Sequence, residues 1–274
     1  MKLKIAWVAL LLGVASSMAA QEGETLRMET LRMSFRDPSQ PGLLKVHVMH
    51  GSIAVKPHEG NEVVVRSKGE GANQDREEQP EAGMRRIPTG GASLTMEENN
   101  NVISVSGRGK NRRTDLEILV PPLTNLNLTS VNGRAIEVVG VAGDLEIKAT
   151  NGRVRLEDVT GAAVVHSMNG RIEAKFKSVD PAKPMSFSCY NGRIDVTLPA
   201  GVKANLKLQT LNGDVFTDFP VELGPEKVAK EESEEGKGGK RVKWESTTEA
   251  KVNGGGPEYT FKTYNGRIYI RKGN

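Results

Sequence analysis

Seven segments of this chain repeat nearly the same phrase, and six of them carry Asn-Gly at the centre. In the earliest segment, His50-Gly51 replaces Asn-Gly. After alignment on the Asn, the residues two, four and six positions before it are apolar or small, as are most of those three and five positions after it. Mostly polar residues stand between them, so the period is two, which is typical of half-buried strands. The six pairs begin at Asn132, Asn151, Asn169, Asn191, Asn212 and Asn265.

Each repeat is interpreted as two strands around an Asn-Gly turn. Gly and Asn suit such a turn because both tolerate positive φ, and Asn can also hydrogen-bond to its own backbone. The copy at Asn132 has one extra residue, Ala135, before its apolar positions resume at Ile136. This offset predicts a β-bulge.

Repeats of about 20 residues cannot bury an apolar face alone, so like repeats are expected to stack on one another. The leading prediction is an all-β fold in which the repeats form the coils of a β-solenoid. An antiparallel meander or β-sandwich stays open, because Asn-Gly between alternating strands is also a hairpin signal. A second glycine eight residues before the Asn, at Gly143 and Gly161, favours a coil with two recurrent corners.

The first 20 residues have the pattern of a signal peptide. Lys2 and Lys4 precede an apolar run at 5–14, and small residues follow up to Ala20. The apolar run is about half of the roughly 20 residues that a membrane-spanning helix needs. We therefore expect an exported protein, periplasmic or extracellular, with no transmembrane segment after signal removal.

The rest of the chain divides into a leading segment and one domain. Residues 21–42 are polar and are predicted to be loosely held, whereas 43–274 form a single β-repeat domain. Within the domain, we expect a mobile loop at 69–91 and a charged insertion at 225–256 that forms a solvated loop. The last repeat, at 259–270, is predicted to close the array as its terminal strand pair.

Composition excludes several classes of function. The net charge of +4 is too small to indicate a nucleic-acid partner. The single cysteine, Cys189, falls in a column of small residues and is predicted to be a buried filler. The four histidines lack metal-ligand spacing, and the chain has no nucleophile elbow or phosphate-binding glycine loop. We expect no catalytic residues, no cofactor and no metal, while the oligomeric state stays open.

One exposed feature recurs, because the residue after Asn-Gly is Arg in five copies. In a solenoid with one coil per repeat, these side chains would stack about 4.8 Å apart along one corner. Nearby acids could neutralise them in a salt-bridged surface, or the arginines could form an anion-binding stripe for acidic polysaccharide, lipopolysaccharide phosphate or a partner's acidic face. The arginines are Arg134, Arg153, Arg171, Arg193 and Arg267, and the acids are Glu137, Glu157, Glu173 and Asp195.

Three runs in the middle of the chain carry a family resemblance. Residues 116–122, 126–134 and 143–154 together resemble the bacterial family of β-strand-repeat proteins labelled "putative adhesins". Members of that family have an early Gly-Ser-Ile strand and a Val-Pro strand before serial Asn-Gly repeats, and residues 51–53 and 120–121 follow that order here.

The resemblance extends over roughly residues 43–274. It implies a right-handed β-helix-like fold and a location in the cell envelope, and it supplies no catalytic residues. The long insertion before the last repeat departs from the even spacing of the family.

The sequence thus favours a non-enzymatic, exported binding or scaffold module of the cell envelope, similar to an adhesin. Its expected partner is an anionic envelope glycan or another protein. The alternative is a carbohydrate-active β-helix enzyme, either a polysaccharide lyase or a hydrolase. Such an enzyme would need carboxylates from separate coils to meet beside a groove.

Overall fold

The computed structural model describes residues 28–69, 94–107, 113–225, 227–235 and 239–273. Side chains are given for all of these except 28, 29, 68, 69, 227–235 and 239–246. The predicted signal peptide at 1–20 and nearly all of the predicted loop at 69–91 lie outside the described residues.

The described chain contains strands and turns, with no helix in these ranges. The first ten strands are β1 Met28–Ser34, β2 Gly42–His50, β3 Ile53–Pro57, β4 Glu62–Gly69, β5 Leu94–Asn99, β6 Val102–Gly107, β7 Thr114–Val120, β8 Thr124–Val139, β9 Leu145–Gly161 and β10 Ala163–Asn169. The others are β11 Ile172–Val179, β12 Met185–Asn191, β13 Ile194–Leu198, β14 Ala204–Asn212, β15 Val215–Thr217, β16 Val221–Leu223, β17 Lys227–Glu235, β18 Gly239–Val252, β19 Glu258–Asn265 and β20 Ile268–Lys272.

The repeats pair with each other in parallel. Strands that precede the Asn-Gly corner form one face, in the order β6, β2, β8, β9, β10, β12, β19 and β14. Strands that follow it form a second face, in the order β7, β3, β8, β9, β11, β13, β20 and β15. In the described chain, no repeat pairs its own two strands. The chain is therefore a β-solenoid, as predicted, and the alternative of a hairpin meander is wrong.

The coils do not stack in chain order. The last repeat, formed by β19 and β20, lies between the coil of β12 and β13 and the coil of β14 and β15. The prediction that residues 259–270 close the array is therefore wrong. Because every repeat presents the same apolar columns, a coil can pack at more than one level of the stack. Strand β18 leads the chain back to the level between these two coils.

Antiparallel strands cover both ends of the stack. At one end, β4 pairs with β7 and β1 pairs with β4. Residues 28–34 of the supposedly loose polar segment thus form an ordered edge strand. At the other end, β18 pairs with β14 and also with β17. The prediction that 225–256 is a solvated loop is wrong there, because Ala250 and Val252 are buried against the stack while Lys251 between them is exposed.

The core consists of stacked columns of like residues. One column is almost entirely isoleucine and valine, with exposures between 0% and 1%. Beside it, Phe187 stacks on Phe261 at a centroid distance of 5.3 Å, and Phe176 meets Phe187 edge-on at 6.1 Å. The column contains Ile53, Ile136, Val154, Ile172, Ile194 and Ile268.

The register shift between coils occurs where the extra residue predicts it. Asn132 pairs with Asn151, but Ala135 pairs with Arg153, so one residue is absorbed between these two pairs. The predicted bulge at Ala135 is confirmed, and the inward positions beyond it regain their column.

Removing the aromatic ring of Phe187 should test the column assignment. Phe187→Ala should lower the free energy of unfolding by about 3–5 kcal/mol, because the ring is fully buried between two other rings. Its outward neighbour offers a matched control, and Ser186→Ala should stay within about 0.5 kcal/mol. Urea denaturation measures both, and equal losses would contradict the assignment.

Candidate functional site

The corner between the two faces is built on glycine. Gly152 has φ of 117° and Gly192 has φ of 151°, both in the left-handed region that favours glycine. A Cβ on Gly152 would overlap the carbonyl oxygen of Gly133, and one on Gly192 would overlap that of Gly170. The backbone therefore stacks directly on backbone from coil to coil, and only glycine leaves room for it.

The Asn beside each glycine has a different role from the one that the sequence suggested. The described residues with positive φ that are not glycine are Asn100, Asn101, Asp158 and Asn253, so the repeat asparagines have ordinary backbone. The positive-φ interpretation is wrong for them, because the chain turns a corner here and does not reverse direction.

The six repeat asparagines form a continuous chain of amide hydrogen bonds, which we call the asparagine ladder. From the second Asn onward, each Nδ2 donates to the Oδ1 of the preceding Asn in the stack, at 2.7–3.1 Å. Asn265 is the last of the six asparagines in the sequence but the fifth in the ladder. The hydrogen bonds of the side chains therefore give the same coil order as the strand pairing. The ladder runs through Asn132, Asn151, Asn169, Asn191, Asn265 and Asn212.

Small polar side chains support the corner from inside. Thr263 Oγ1 donates to the carbonyl of Gly192 at 3.3 Å, and Cys189 Sγ lies 3.2 Å from the carbonyl oxygen of Gly170. Cys189 is buried, and its burial raises the pKa of the thiol. The prediction of a buried small filler is confirmed, and the raised pKa works against thiolate chemistry.

All five predicted arginines lie in consecutive coils, and we call them the arginine row. Backbone hydrogen bonds continue through the row, from Val154 to the Arg171 carbonyl, from Ile172 to that of Arg193, and from Ile194 to that of Arg267. The repeat at Asn212 carries Asp214 in place of the arginine. If the coils stacked in chain order, Asp214 would interrupt the row. Because the last coil is inserted before it, Asp214 instead lies at the end of the row. The order is Arg134, Arg153, Arg171, Arg193 and Arg267, but Ala135 pairs with Arg153, so Arg134 lies in the bulge next to the row's first in-register member.

Acidic side chains neutralise only part of the arginine row. Arg171 pairs with Glu173 at 3.1 Å, Arg193 pairs closely with Asp195, and Arg267 lies 3.9 Å from Asp214. Among the described side chains, Arg134 and Arg153 have no such ion pair, and both are exposed. The uncompensated charge is therefore concentrated at the Arg134 end of the row.

Aromatic rings contact the arginine side chains at the other end of the row. The guanidinium carbon of Arg193 lies 3.9 Å from the centroid of the Tyr269 ring, and that of Arg271 lies 5.3 Å from it. Asp195 accepts hydrogen bonds from Arg271 and raises the pKa of that guanidinium. Phe216 stacks on Tyr269 at 5.0 Å. These contacts hold the arginine side chains in place and reduce their freedom to meet another anion.

An apolar strip, which the sequence analysis missed, runs on the opposite side of the asparagine ladder. Tyr190 and Tyr264 stack at 4.8 Å with their rings 9° from parallel, so each ring covers one face of the other. The signal was the residue immediately before each Asn, an outward position that should be polar. The strip consists of Met168, Tyr190, Tyr264 and Leu211, which are 37–52% exposed.

A cleft of about 400 Å³ opens at the far corner of the coils, away from the ladder. Its lining includes Val179, Pro199, Val202 and Tyr259. Tyr259 is 0% exposed, and its hydroxyl has no hydrogen-bond partner among the described residues. Leaving a buried hydroxyl unpaired costs about 1–3 kcal/mol, so this group calls for an explanation.

Metal-binding groups are dispersed. Within the described ranges, no group of three or more His, Cys, Asp or Glu side chains could hold a metal ion. Also within these ranges, no helix has the length and apolarity required to cross a membrane.

The fold and the corner together define a β-solenoid repeat protein with a polar ladder and a cationic row on its surface. The chain belongs to the Toastrack DUF4097 family, whose sequence model matches residues 44–249. This agrees with the resemblance seen in the repeats. No curated protein matches the chain.

Solved structures from three bacteria match this chain at low TM-scores. A putative cell adhesion protein from Clostridium sporogenes ATCC 15579 has 12% identity and a TM-score of 0.42, with 90% of this chain and 100% of that chain covered. A putative adhesin from Bacteroides fragilis NCTC 9343 has 10% identity and a TM-score of 0.28, with 90% and 97% covered. A putative adhesin from Parabacteroides merdae ATCC 43184 has 7% identity and a TM-score of 0.22, also with 90% and 97% covered.

The contribution of the asparagine ladder can be measured by comparing an inner rung with an end rung. Asn191→Ala removes one donated and one accepted bond, whereas Asn212→Ala removes one donated bond. We expect losses in the free energy of unfolding of about 1–2 and 0.5–1 kcal/mol respectively, because each bond contributes about 0.5–1 kcal/mol net. Chemical denaturation provides the values, and a larger loss for Asn212→Ala would argue against a continuous ladder.

Proposed function

We propose that this protein is an exported, non-enzymatic binding module of the cell envelope, adhesin-like, and that its arginine row holds an anionic polymer. The observation that carries the proposal is the contiguity of five arginines in five consecutive coils. The coil insertion that makes the row continuous also moves the acidic Asp214 to its end. From Arg153 to Arg267 the cations keep the regular spacing of the coils, which suits a ligand that is itself a repeating polyanion.

The unpaired end of the row is the best candidate for first contact. Arg134 and Arg153 are exposed without an acidic partner among the described side chains, so an incoming anion need not displace one. A guanidinium presents a planar fork that can bind a carboxylate, sulfate or phosphate through two hydrogen bonds. Neighbouring coils lie about 4.8 Å apart, so adjacent arginines can hold successive charges of one chain.

Carboxylates near the row are arranged as partners of arginine. Glu173 accepts from Arg171, and Asp195 accepts from both Arg193 and Arg271. A glycosidase pair would instead place two carboxyl groups about 5–9.5 Å apart across a groove, one of them with a raised pKa. The contacts seen here favour binding over the enzymatic alternative.

The proposed location follows from the sequence. The Lys2 and Lys4 residues, the apolar run and the small residues up to Ala20 support export to the periplasm or the cell surface. The partner we propose there is an anionic envelope glycan, with the acidic face of another protein as the second choice.

Neutralising the two unpaired arginines should weaken polyanion binding. Arg134→Gln with Arg153→Gln, made in the protein from Gln21 onward, should reduce affinity for immobilised polygalacturonate and dextran sulfate by roughly tenfold at low salt, because each exposed contact contributes about 0.2–1 kcal/mol. Binding by the unmodified protein should weaken steeply at physiological salt, where charges are screened over about 8 Å. Neutral dextran should not bind.

The control removes the same charge elsewhere. Lys45→Gln with Lys207→Gln changes two cations on the other face of the solenoid and should leave binding within about twofold, since neither lysine lies in the row. Equal losses in the two double variants would show that net charge alone drives binding. That outcome, or no salt-sensitive binding by the unmodified protein, would contradict the proposal and leave the arginine row with a structural role only.

A further inference from the structure

The cleft at the far corner has a topological cause. After β13 the chain skips one level of the stack and enters β14, and the skipped level is filled by β19 and β20 from the end of the chain. Around the Leu198 to Ala204 connection, this leaves a cleft with Val179, Pro199, Val202 and Pro257 in its lining.

Hydrogen bonds hold the walls of the cleft open. Asn253 Nδ2 donates to the carbonyls of Ala200 and Val202, at 3.1 and 2.7 Å. The Asn205 backbone N–H donates to the Pro257 carbonyl at 3.0 Å. Prolines further restrict the backbone of these walls. The mouth of the cleft is therefore ordered, whereas the Tyr259 hydroxyl lies beneath its surface, and a ligand reaches that hydroxyl when the covering side chains move aside.

Tyr259 at the base of the cleft departs from its column. The hydroxyl is fully buried and has no partner among the described residues. Every equivalent residue in the other coils is aliphatic, so packing of the column does not require a hydroxyl there. The equivalents are Ile103, Leu44, Leu126, Leu145, Ala163, Met185 and Leu206.

We propose that this cleft binds a small neutral molecule with an aliphatic body and a carbonyl or alcohol oxygen, and that this oxygen hydrogen-bonds to the hydroxyl of Tyr259. The ligand would be held by apolar walls and oriented by one polar contact, which is the usual design of small-molecule sites.

The charges around the cleft favour a neutral ligand. Burial and the nearby Asp180 carboxylate raise the pKa of Tyr259, so its hydroxyl keeps its proton and can donate. Asp180 is not among the lining residues, and Lys183 pairs with it at 3.5 Å, so the Asp180 charge is compensated outside the cleft. Among the described lining residues, Lys203 alone carries a charge, and it is exposed. A buried ammonium group would lack a partner in this lining.

Three probes of similar size test the chemistry. Hexanamide should bind the protein with an affinity on the order of millimolar, as expected for so few atoms. Hexanoate and hexylammonium should bind at least fivefold more weakly, because a charge would be buried without compensation. With ¹³C-labelled tyrosine, hexanamide should shift the ring resonances of Tyr259 and leave those of Tyr190 and Tyr264 in place.

Tyr259→Phe removes only the hydroxyl and should weaken hexanamide binding about fivefold to tenfold. The same variant should unfold at a higher temperature than the unmodified protein when no ligand is present, because an unpaired buried hydroxyl is lost. Tyr264→Phe is the matched control on the exposed strip and should change neither quantity. Unchanged hexanamide affinity in Tyr259→Phe, equal binding of the three probes, or no binding of hexanamide would each overturn the proposal.

Discussion

The stacking of identical corners in register is the constraint on which the rest of this structure depends. In a parallel stack, a slip of one residue would turn every inward side chain outward. Two features oppose that slip, since each glycine leaves room for the carbonyl of the next coil and each repeat asparagine bonds to the next one. Once the corner is fixed, the apolar columns, the arginine row and the apolar strip follow at constant offsets from it.

The insertion of the last coil determines how the surface residues of several coils are arranged. It places Arg267 beside Arg193, so that the cations are contiguous and Asp214 lies at the end. It also stacks Tyr264 on Tyr190 and leaves the cleft over Tyr259. Three surface features therefore arise from one topological event. A stack in chain order would separate the arginines and the two tyrosines.

The sequence predicted the features that depend on local periodicity. The inward columns, the bulge at Ala135, the glycine corners and the buried Cys189 all follow from alternation and from the spacing of Asn-Gly. The order of the coils could not be predicted, because equivalent repeats compete equally for each slot.

Strand β18 was missed because, in the part whose side chains are described, Glu249 and Lys251 alternate with the only buried apolar residues, Ala250 and Val252. In the sequence, Tyr259 looks like one more apolar residue of its column. Only the structure shows that its hydroxyl is buried beside the cleft at the far corner.

The most direct test of the coil order is disulfide formation between paired cysteines in a Cys189→Ser background. Tyr190→Cys with Tyr264→Cys should form an intramolecular disulfide on mild oxidation, since adjacent coils lie about 4.8 Å apart, whereas Tyr190→Cys with Leu211→Cys should not, being two coils apart. The opposite result would contradict the insertion of the last coil.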